Sequence, residues 1–161
     1  MKKFSELSEV VVFSDIRKGN KVGLDKFLNK NKYSFLATRQ KENRIFKPFG
    51  KIGNAEVYTW SNSKETAYVV FESEKSTIYL ETIPYGPFSE QVAGVAATKN
   101  VTKVKDLYAL IVKNGRDLVS DVMQSQGGHA IWKSLSKERG VTVFGWDGSK
   151  MYNLGSKLDD Y

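Results

Sequence analysis

The sequence of 161 residues contains no cysteine and a single histidine. Without cysteine the chain has no disulfide, no thiolate metal site and no cysteine nucleophile, and one imidazole cannot form a clustered histidine site. A metalloenzyme is therefore not expected, unless its site is built from carboxylates alone. Proline is scarce as well, and two of the three prolines lie in one predicted loop, PYGPFSE.

Long hydrophobic runs are also missing. No stretch of about 18 apolar residues is present, so the sequence predicts no membrane-spanning helix and no membrane partner. The first residues, MKKFSELSEVVVFSDIRK, interrupt a short apolar stretch with charges and lack a small-residue cleavage site. We therefore expect a cytoplasmic protein. Its length and 40% hydrophobic content predict a single domain over 1–161 with a sizeable core.

The excess positive charge lies entirely in the N-terminal third. The formal net charge is +7, and residues 1–51 hold 13 Lys and Arg against 5 Asp and Glu, a net +8, which leaves −1 for 52–161. The cations of this basic third alternate with five aromatic residues: Phe27, Tyr33, Phe35, Phe46 and Phe49.

Cations interleaved with aromatics are typical of nucleic-acid surfaces, where charges meet phosphates and rings meet bases. The candidate contacts are Lys26, Lys30, Lys32 and Arg39. A solvated basic surface whose aromatics face the core is the commoner arrangement. Attraction of a small polyanion such as coenzyme A is the third interpretation.

Hydrophobic periodicity divides the chain into an N-terminal helical part, a β-rich middle and an alternating C-terminal part. Residues 5–36 have helix-like spacing around a turn at Gly19-Asn20, which predicts one or two short helices, and Gly50–Asn54 reads as a turn-rich patch. The runs AEVYTW, ETAYVVFES and STIYLETIPY predict an antiparallel meander, followed by a fourth strand of small residues, VAGVAAT.

From Val104 the period becomes helical, and Asn114-Gly115 is a helix stop signal. The strand RDLVSD, the helix HAIWKSLSKER, the strand VTVFGW and a hairpin partner, MYNL, are predicted to follow. The fold class is α/β (α+β), with a mixed sheet in which antiparallel strands precede a strand-helix-strand-helix-strand series.

The C-terminal 70 residues, and above all the pattern S-D-x-x-Q-S-x-G-G-x-x-x-W at 120–132, resemble the GNAT superfamily of N-acetyltransferases. The resemblance is strongest to divergent GNAT-like proteins of bacteriophages. It implies a GNAT-like sheet, acetyl-CoA as the acyl donor, an amine as the acceptor and, for a phage-encoded protein, the host cytoplasm as the compartment. In that family a strand binds the pantetheine arm and the loop before the next helix binds the pyrophosphate, as helix N-termini commonly do.

The resemblance also implies which residues contact the acyl donor. Lys99 stands where an Arg or Gln opens the pyrophosphate loop, and Thr102 and Val104 stand where glycines or a small residue are usual. Trp132 stands where a tyrosine commonly acts as general acid, and an indole does not titrate in the useful range; packing of Trp132 on the sheet is the commoner role. The complete set of implied contacts is Val95, Ala97, Lys99, Asn100, Thr102, Val104 and Ser125.

Two residues are candidates for catalytic proton transfer. Glu81 is near the end of the predicted third strand, where the family often has a carboxylate that deprotonates the amine. His129 has the only side chain whose ordinary pKa is near neutrality. Simple surface exposure is the alternative for each. Two functions therefore stay open: an N-acyltransferase, or a GNAT-fold protein that does not acylate and binds nucleic acid or a host macromolecule through its basic third.

Overall fold

A computed structural model describes residues 23–87, 89–99, 101–120, 126–142, 144–146 and 151–153. For 126–130, 144–146 and 151–153 it describes the backbone alone. The predicted turn at Gly19-Asn20 and two implied donor contacts, Asn100 and Ser125, lie outside these ranges.

Three helices and eight strands are present in the described residues. A short 3-10 turn, Leu24–Phe27, precedes them. The helices are α1 (Lys32–Lys41), α2 (Val104–Lys113) and α3 (Gln126–Ser136), and the strands are β1 (Lys47–Ile52), β2 (Ala55–Ser61), β3 (Thr66–Glu72), β4 (Lys75–Pro84), β5 (Ser89–Ala97), β6 (Asp117–Val119), β7 (Phe144–Trp146) and β8 (Met151–Asn153).

Strands β1 to β6 form one mixed sheet in chain order. Neighbours from β1 to β5 are antiparallel. β5 and β6 are parallel, since α2 carries the chain back across the sheet between them. β7 and β8 pair with each other in a separate two-stranded sheet. The chain is therefore an α+β protein with a mixed sheet, as predicted.

Strands β2, β3 and β4 confirm the predicted meander. The predicted span of the turn-rich patch, Gly50–Asn54, is longer than the turn in the structure. Gly50, Lys51 and Ile52 belong to β1 and pair with β2. Only Gly53 and Asn54 turn, and Gly53 has a φ of 60°. Pro48 is tolerated in β1 because this is the edge strand of the sheet.

The sheet has an apolar core on each face because strand side chains alternate. On one face, Tyr68 and Val70 of β3 pack in a cluster with Leu107 and Ile111 of α2. On the other face, Val69 and Phe71 pack beneath α1 and the 3-10 turn, around Phe35. We call these the α2 face and the α1 face.

Helix α2 matches its predicted span and stop signal. Gly115 has a φ of 90°, which suits glycine after a helix end. Tyr108 is 3% exposed and lies 5.5 Å, ring to ring, from Trp132 of α3. Tyr108 thus lies in the core of the α2 face, and Trp132 packs against that core, which is the commoner role expected for it.

Candidate functional sites

The first candidate site is a hollow of about 660 Å³ at the C-terminal end of β5, in front of α2. We call it the α2 hollow. Four of the implied donor contacts line it: Ala97, Lys99, Thr102 and Val104. The fifth described contact, Val95, does not line it; its side chain packs against the core of the α2 face.

A carboxylate from β3 already binds the loop in front of α2. Glu72 accepts hydrogen bonds from the backbone N–H of Val101 at 3.3 Å and of Thr102 at 3.1 Å. The Thr102 hydroxyl donates a further short hydrogen bond to the same carboxylate. The pKa of Glu72 is lowered from its ordinary value, because these donors, the Thr102 hydroxyl first, stabilise the charged form.

The loop is therefore an anion-binding structure, and Glu72 is the anion it holds. The adjoining N–H, that of Lys103, donates to the Asp106 carboxylate at 3.0 Å within the first turn of α2. A pyrophosphate at this loop would have to displace Glu72 or bind beside it. Lys99 and Lys103 line the same hollow and are exposed, so they supply positive charge for an incoming anion.

Of the two proton-transfer candidates, Glu81 lies on the α1 face. It pairs with Ala67, whose side chain is in the core of that face. Burial raises the pKa of Tyr79 on the same face, and the negative charge of Glu81 raises it further. Val95 packs on the opposite face, so the sheet separates Glu81 from it. His129 is in the first turn of α3, where the described structure is backbone alone.

A buried polar network on the α2 face was missed by sequence reasoning. Glu90, 3% exposed, accepts hydrogen bonds from the Tyr68 hydroxyl at 2.9 Å and the Thr82 hydroxyl at 2.6 Å. Arg116 Nε donates to the same carboxylate at 2.8 Å. The network connects β3, β4 and β5 to Arg116, the residue before β6. It lies at the start of the parallel pairing of β5 and β6.

The network encloses the Glu90 carboxylate within the sheet. Burial, and then the neighbouring Glu90 charge, raise the pKa of Tyr68, so its hydroxyl stays protonated and donates. Three donors occupy the carboxylate, and the single Tyr68 hydroxyl lies within hydrogen-bond distance of both its oxygens, so Glu90 serves as a structural acceptor. Glu90 was missed because the loop PYGPFSE was predicted to include it. A charged residue next to a strand of small apolar residues was the available signal.

The second candidate site is a hollow of about 540 Å³ on the α1 side, which we call the basic hollow. Three of the four cations predicted to bind nucleic acid line it: Lys26, Lys30 and Arg39. Arg44 joins them. Lys32 is not part of this group. Its ammonium donates to Glu56 at 2.8 Å, and this hydrogen bond raises its pKa above the ordinary value.

The aromatic half of the nucleic-acid pattern lies mainly in the core. Phe35 and Phe46 are 3% and 8% exposed, and Phe27 stacks on Tyr79 with centroids 4.2 Å apart. Phe49 packs on Tyr68 on the α2 face. Tyr33 is the exception, at 73% exposed. The commoner interpretation of the basic third, aromatics in the core beneath a charged surface, is therefore the one found for these four rings.

Within the described ranges, no helix is long and apolar enough to cross a bilayer. In the same part of the chain, no three side chains of His, Cys, Asp or Glu are grouped so that they could hold a metal ion. No protein-family model, curated protein or solved structure matches the chain.

Proposed function

We propose that the chain is a GNAT-like N-acyltransferase that transfers an acetyl group from acetyl-CoA to an amine. The observation that supports this best is the α2 hollow, because four residues implied as donor contacts by the sequence pattern line a single cavity at one end of β5. Its volume is within the range of small-ligand sites.

The pairing of β5 with β6 is a second supporting observation. Described pairs run from Ser89↔Asp117 to Gln91↔Val119, whereas β5 continues to Ala97. Within the described residues, the outer edge of β5 beyond Gln91 therefore has no strand partner. An unpaired strand edge offers alternating N–H and C=O groups to an extended ligand, and the two amides of a pantetheine arm would suit it.

The proposed chemistry is direct attack of the amine on the thioester carbonyl. A C–N bond forms, the C–S bond breaks, the thiolate leaves with a proton and the amine loses one. The protein would act mainly by positioning the reactants and by hydrogen bonding to the developing oxyanion. His129 is the proposed proton acceptor, and Glu81 would accept the proton only through water, because the sheet separates it from the donor contact Val95. Comparing kcat and its pH profile for Glu81→Gln and His129→Gln tests each role.

The contact between Glu72 and the loop gives the binding test its sharpest form. If the pyrophosphate binds the N–H groups of Val101 and Thr102, it competes with the Glu72 carboxylate. Glu72→Ala should therefore bind CoA several-fold more tightly than the wild type in calorimetric titration. Glu74→Gln is the matched control, since it removes the same charge from the adjoining hairpin and should leave the affinity unchanged.

Two further results would decide the acyltransferase proposal. Lys99→Glu should weaken CoA binding, because it reverses a charge that lines the α2 hollow. If neither the wild type nor Glu72→Ala gives heat or a thermal shift with millimolar acetyl-CoA, the proposal is wrong.

The second candidate function is binding of nucleic acid or a host macromolecule through the basic third. It is favoured by the grouping of Lys26, Lys30 and Arg39 around one hollow. Binding of this kind should weaken steeply with added salt, because phosphates release counterions when they meet cations. Fluorescence anisotropy with labelled DNA and RNA between low and physiological salt tests it; an absent or salt-independent signal would count against it.

A further inference from the structure

The basic hollow combines a strong positive charge with hydroxyl donors. Its lining carries four positive charges, from Lys26, Lys30, Arg39 and Arg44, against one negative charge, from Glu42; outside the lining, Glu65 lies 3.6 Å from Arg44. Ser34 and Thr38, which carry hydroxyl groups, line it as well. These two residues are four positions apart in α1, so they lie on the same side of the helix.

Arg39 is held in place before any ligand arrives. Its guanidinium carbon lies 4.9 Å from the ring centroid of Phe27 and 5.3 Å from that of Phe35. Its Nε is buried and has no hydrogen-bond partner among the described residues. Glu42 Oε1 is 3.2 Å away, which is an ion-pair distance, but the two groups are not aligned for a hydrogen bond. An ordered guanidinium loses little entropy when it binds an anion.

The rings beside the hollow leave little room for bases. Phe27 has Tyr79 stacked against it at 4.2 Å, and the cations of Arg39 and Lys26 lie over its ring. Phe35 is buried at 3% exposure. The hollow therefore offers charge and hydrogen-bond donors without the open aromatic platforms that bind single-stranded bases.

We propose that the basic hollow binds a terminal phosphate or polyphosphate group, through the ammonium groups of Lys26 and Lys30 and the guanidinium of Arg39. A multiply charged anion matches the net positive lining, and a guanidinium fork matches phosphate oxygens. At about 540 Å³ the hollow exceeds one phosphate group, so pyrophosphate or a phosphorylated metabolite fits it. This inference rests on the second candidate function and names the ligand of its site.

The primary experiment is calorimetric titration with inorganic pyrophosphate. The wild type should bind, and the double variant Lys26→Gln/Lys30→Gln should bind about tenfold more weakly, since it loses two charge contacts. Both lysines are exposed, so this variant should fold normally. The matched control is Lys41→Gln/Lys47→Gln, which removes the same charge from exposed positions outside the hollow and should bind like the wild type.

Arg39→Lys tests the guanidinium separately. It keeps the positive charge but loses the planar fork, so pyrophosphate affinity should fall although the net charge is unchanged. Equal affinity in Arg39→Lys and the wild type would overturn the role of Arg39. Equal loss in the lysine variant and its control would overturn the site, because it would show attraction to net charge alone.

Oligonucleotides identify the source of the phosphate. They also distinguish failure of this inference from failure of the second candidate function, nucleic-acid binding. If the phosphate belongs to a nucleic-acid end, a 5′-phosphorylated oligonucleotide should bind more tightly than its 5′-hydroxyl form. If it belongs to a small molecule, pyrophosphate alone should bind through the two lysines. Salt-sensitive binding of both oligonucleotides without pyrophosphate binding would overturn the inference and leave nucleic-acid binding standing. No binding of any probe would overturn this inference and nucleic-acid binding together.

Discussion

At the scale of single residues, two carboxylates carry most of the information, and they behave differently. Glu90 is enclosed in the sheet with three donors, whereas Glu72, at the end of β3, binds the loop before α2. Removal of Glu90 leaves buried donors without an acceptor. Removal of Glu72 frees loop amides that water or a ligand can use.

Glu90→Ala should destabilise the fold by about 3 kcal/mol, because the Tyr68 and Thr82 hydroxyls lose their acceptor and Arg116 its counter-charge. Glu90→Gln should cost less, and Tyr68→Phe only about 1 kcal/mol, since it removes a single donor. Urea denaturation at neutral pH measures all three. A Glu90→Ala variant as stable as the wild type would show that the network contributes nothing to folding.

Glu72 should make stability depend on pH in the acid range. Its pKa is lower in the folded protein than its ordinary 4.5, so the charged form is favoured on folding. The stabilisation is fully present above pH 4.5 and is lost as the pH falls through the folded-state pKa. Glu72→Gln should therefore lose less stability than the wild type between pH 5 and about pH 3. Parallel pH profiles in thermal denaturation would contradict this.

At the scale of elements, α1 contributes side chains both to the core of the α1 face and to the lining of the basic hollow. Its apolar side buries Phe35, while Ser34, Thr38 and Arg39 line the hollow. The helix begins at a capping residue, Asn31, whose side-chain oxygen accepts from the N–H groups of Tyr33 at 3.0 Å and Ser34 at 3.3 Å.

Asn31→Ala should destabilise the protein by about 1 kcal/mol, because these first-turn N–H groups lose their cap. Asn31→Asp is the control and should stay close to the wild type, since Asp caps equally well. Chemical denaturation followed by circular dichroism measures both. Equal stability of the Ala and Asp variants would mean that the cap is dispensable.

Sequence patterns predicted the spans of some helices and strands correctly and missed one strand. The spans of β2, β3, β4 and α2 followed from local periodicity and punctuation. β1 was missed because KPFGKI contains proline and glycine, residues that are depleted in strands. Only pairing with β2 makes this segment a strand, and pairing depends on residues elsewhere in the chain.

At the scale of the whole molecule, the central strands join the two cores. Along β3, Tyr68 and Val70 enter one core while Val69 and Phe71 enter the other. Neither face can lose its packing without exposing the strand that the other face packs on. The two faces should therefore unfold together.

Two tryptophans report the two faces separately. Trp60 packs with the α1-face core and Trp132 with the α2-face core. Each of two variants keeps one of these tryptophans and has the other tryptophans replaced by phenylalanine. In urea unfolding, the fluorescence midpoint of each variant should coincide with its own circular dichroism midpoint. Fluorescence midpoints that differ from the circular dichroism midpoint of the same variant would show that the faces unfold independently.

The sequence by itself determined the α+β class, the meander, the span of α2 and the location of the charge excess, because each depends on short-range pattern or on composition. Only the tertiary structure decided that Glu72 binds the loop before α2 and that Glu90 joins Tyr68 and Arg116. It also decided that Lys32 pairs with Glu56 while Arg39 faces the basic hollow. These contacts join residues 22 to 30 positions apart for the carboxylates. Strand register and helix placement set such contacts, and local sequence patterns do not encode them.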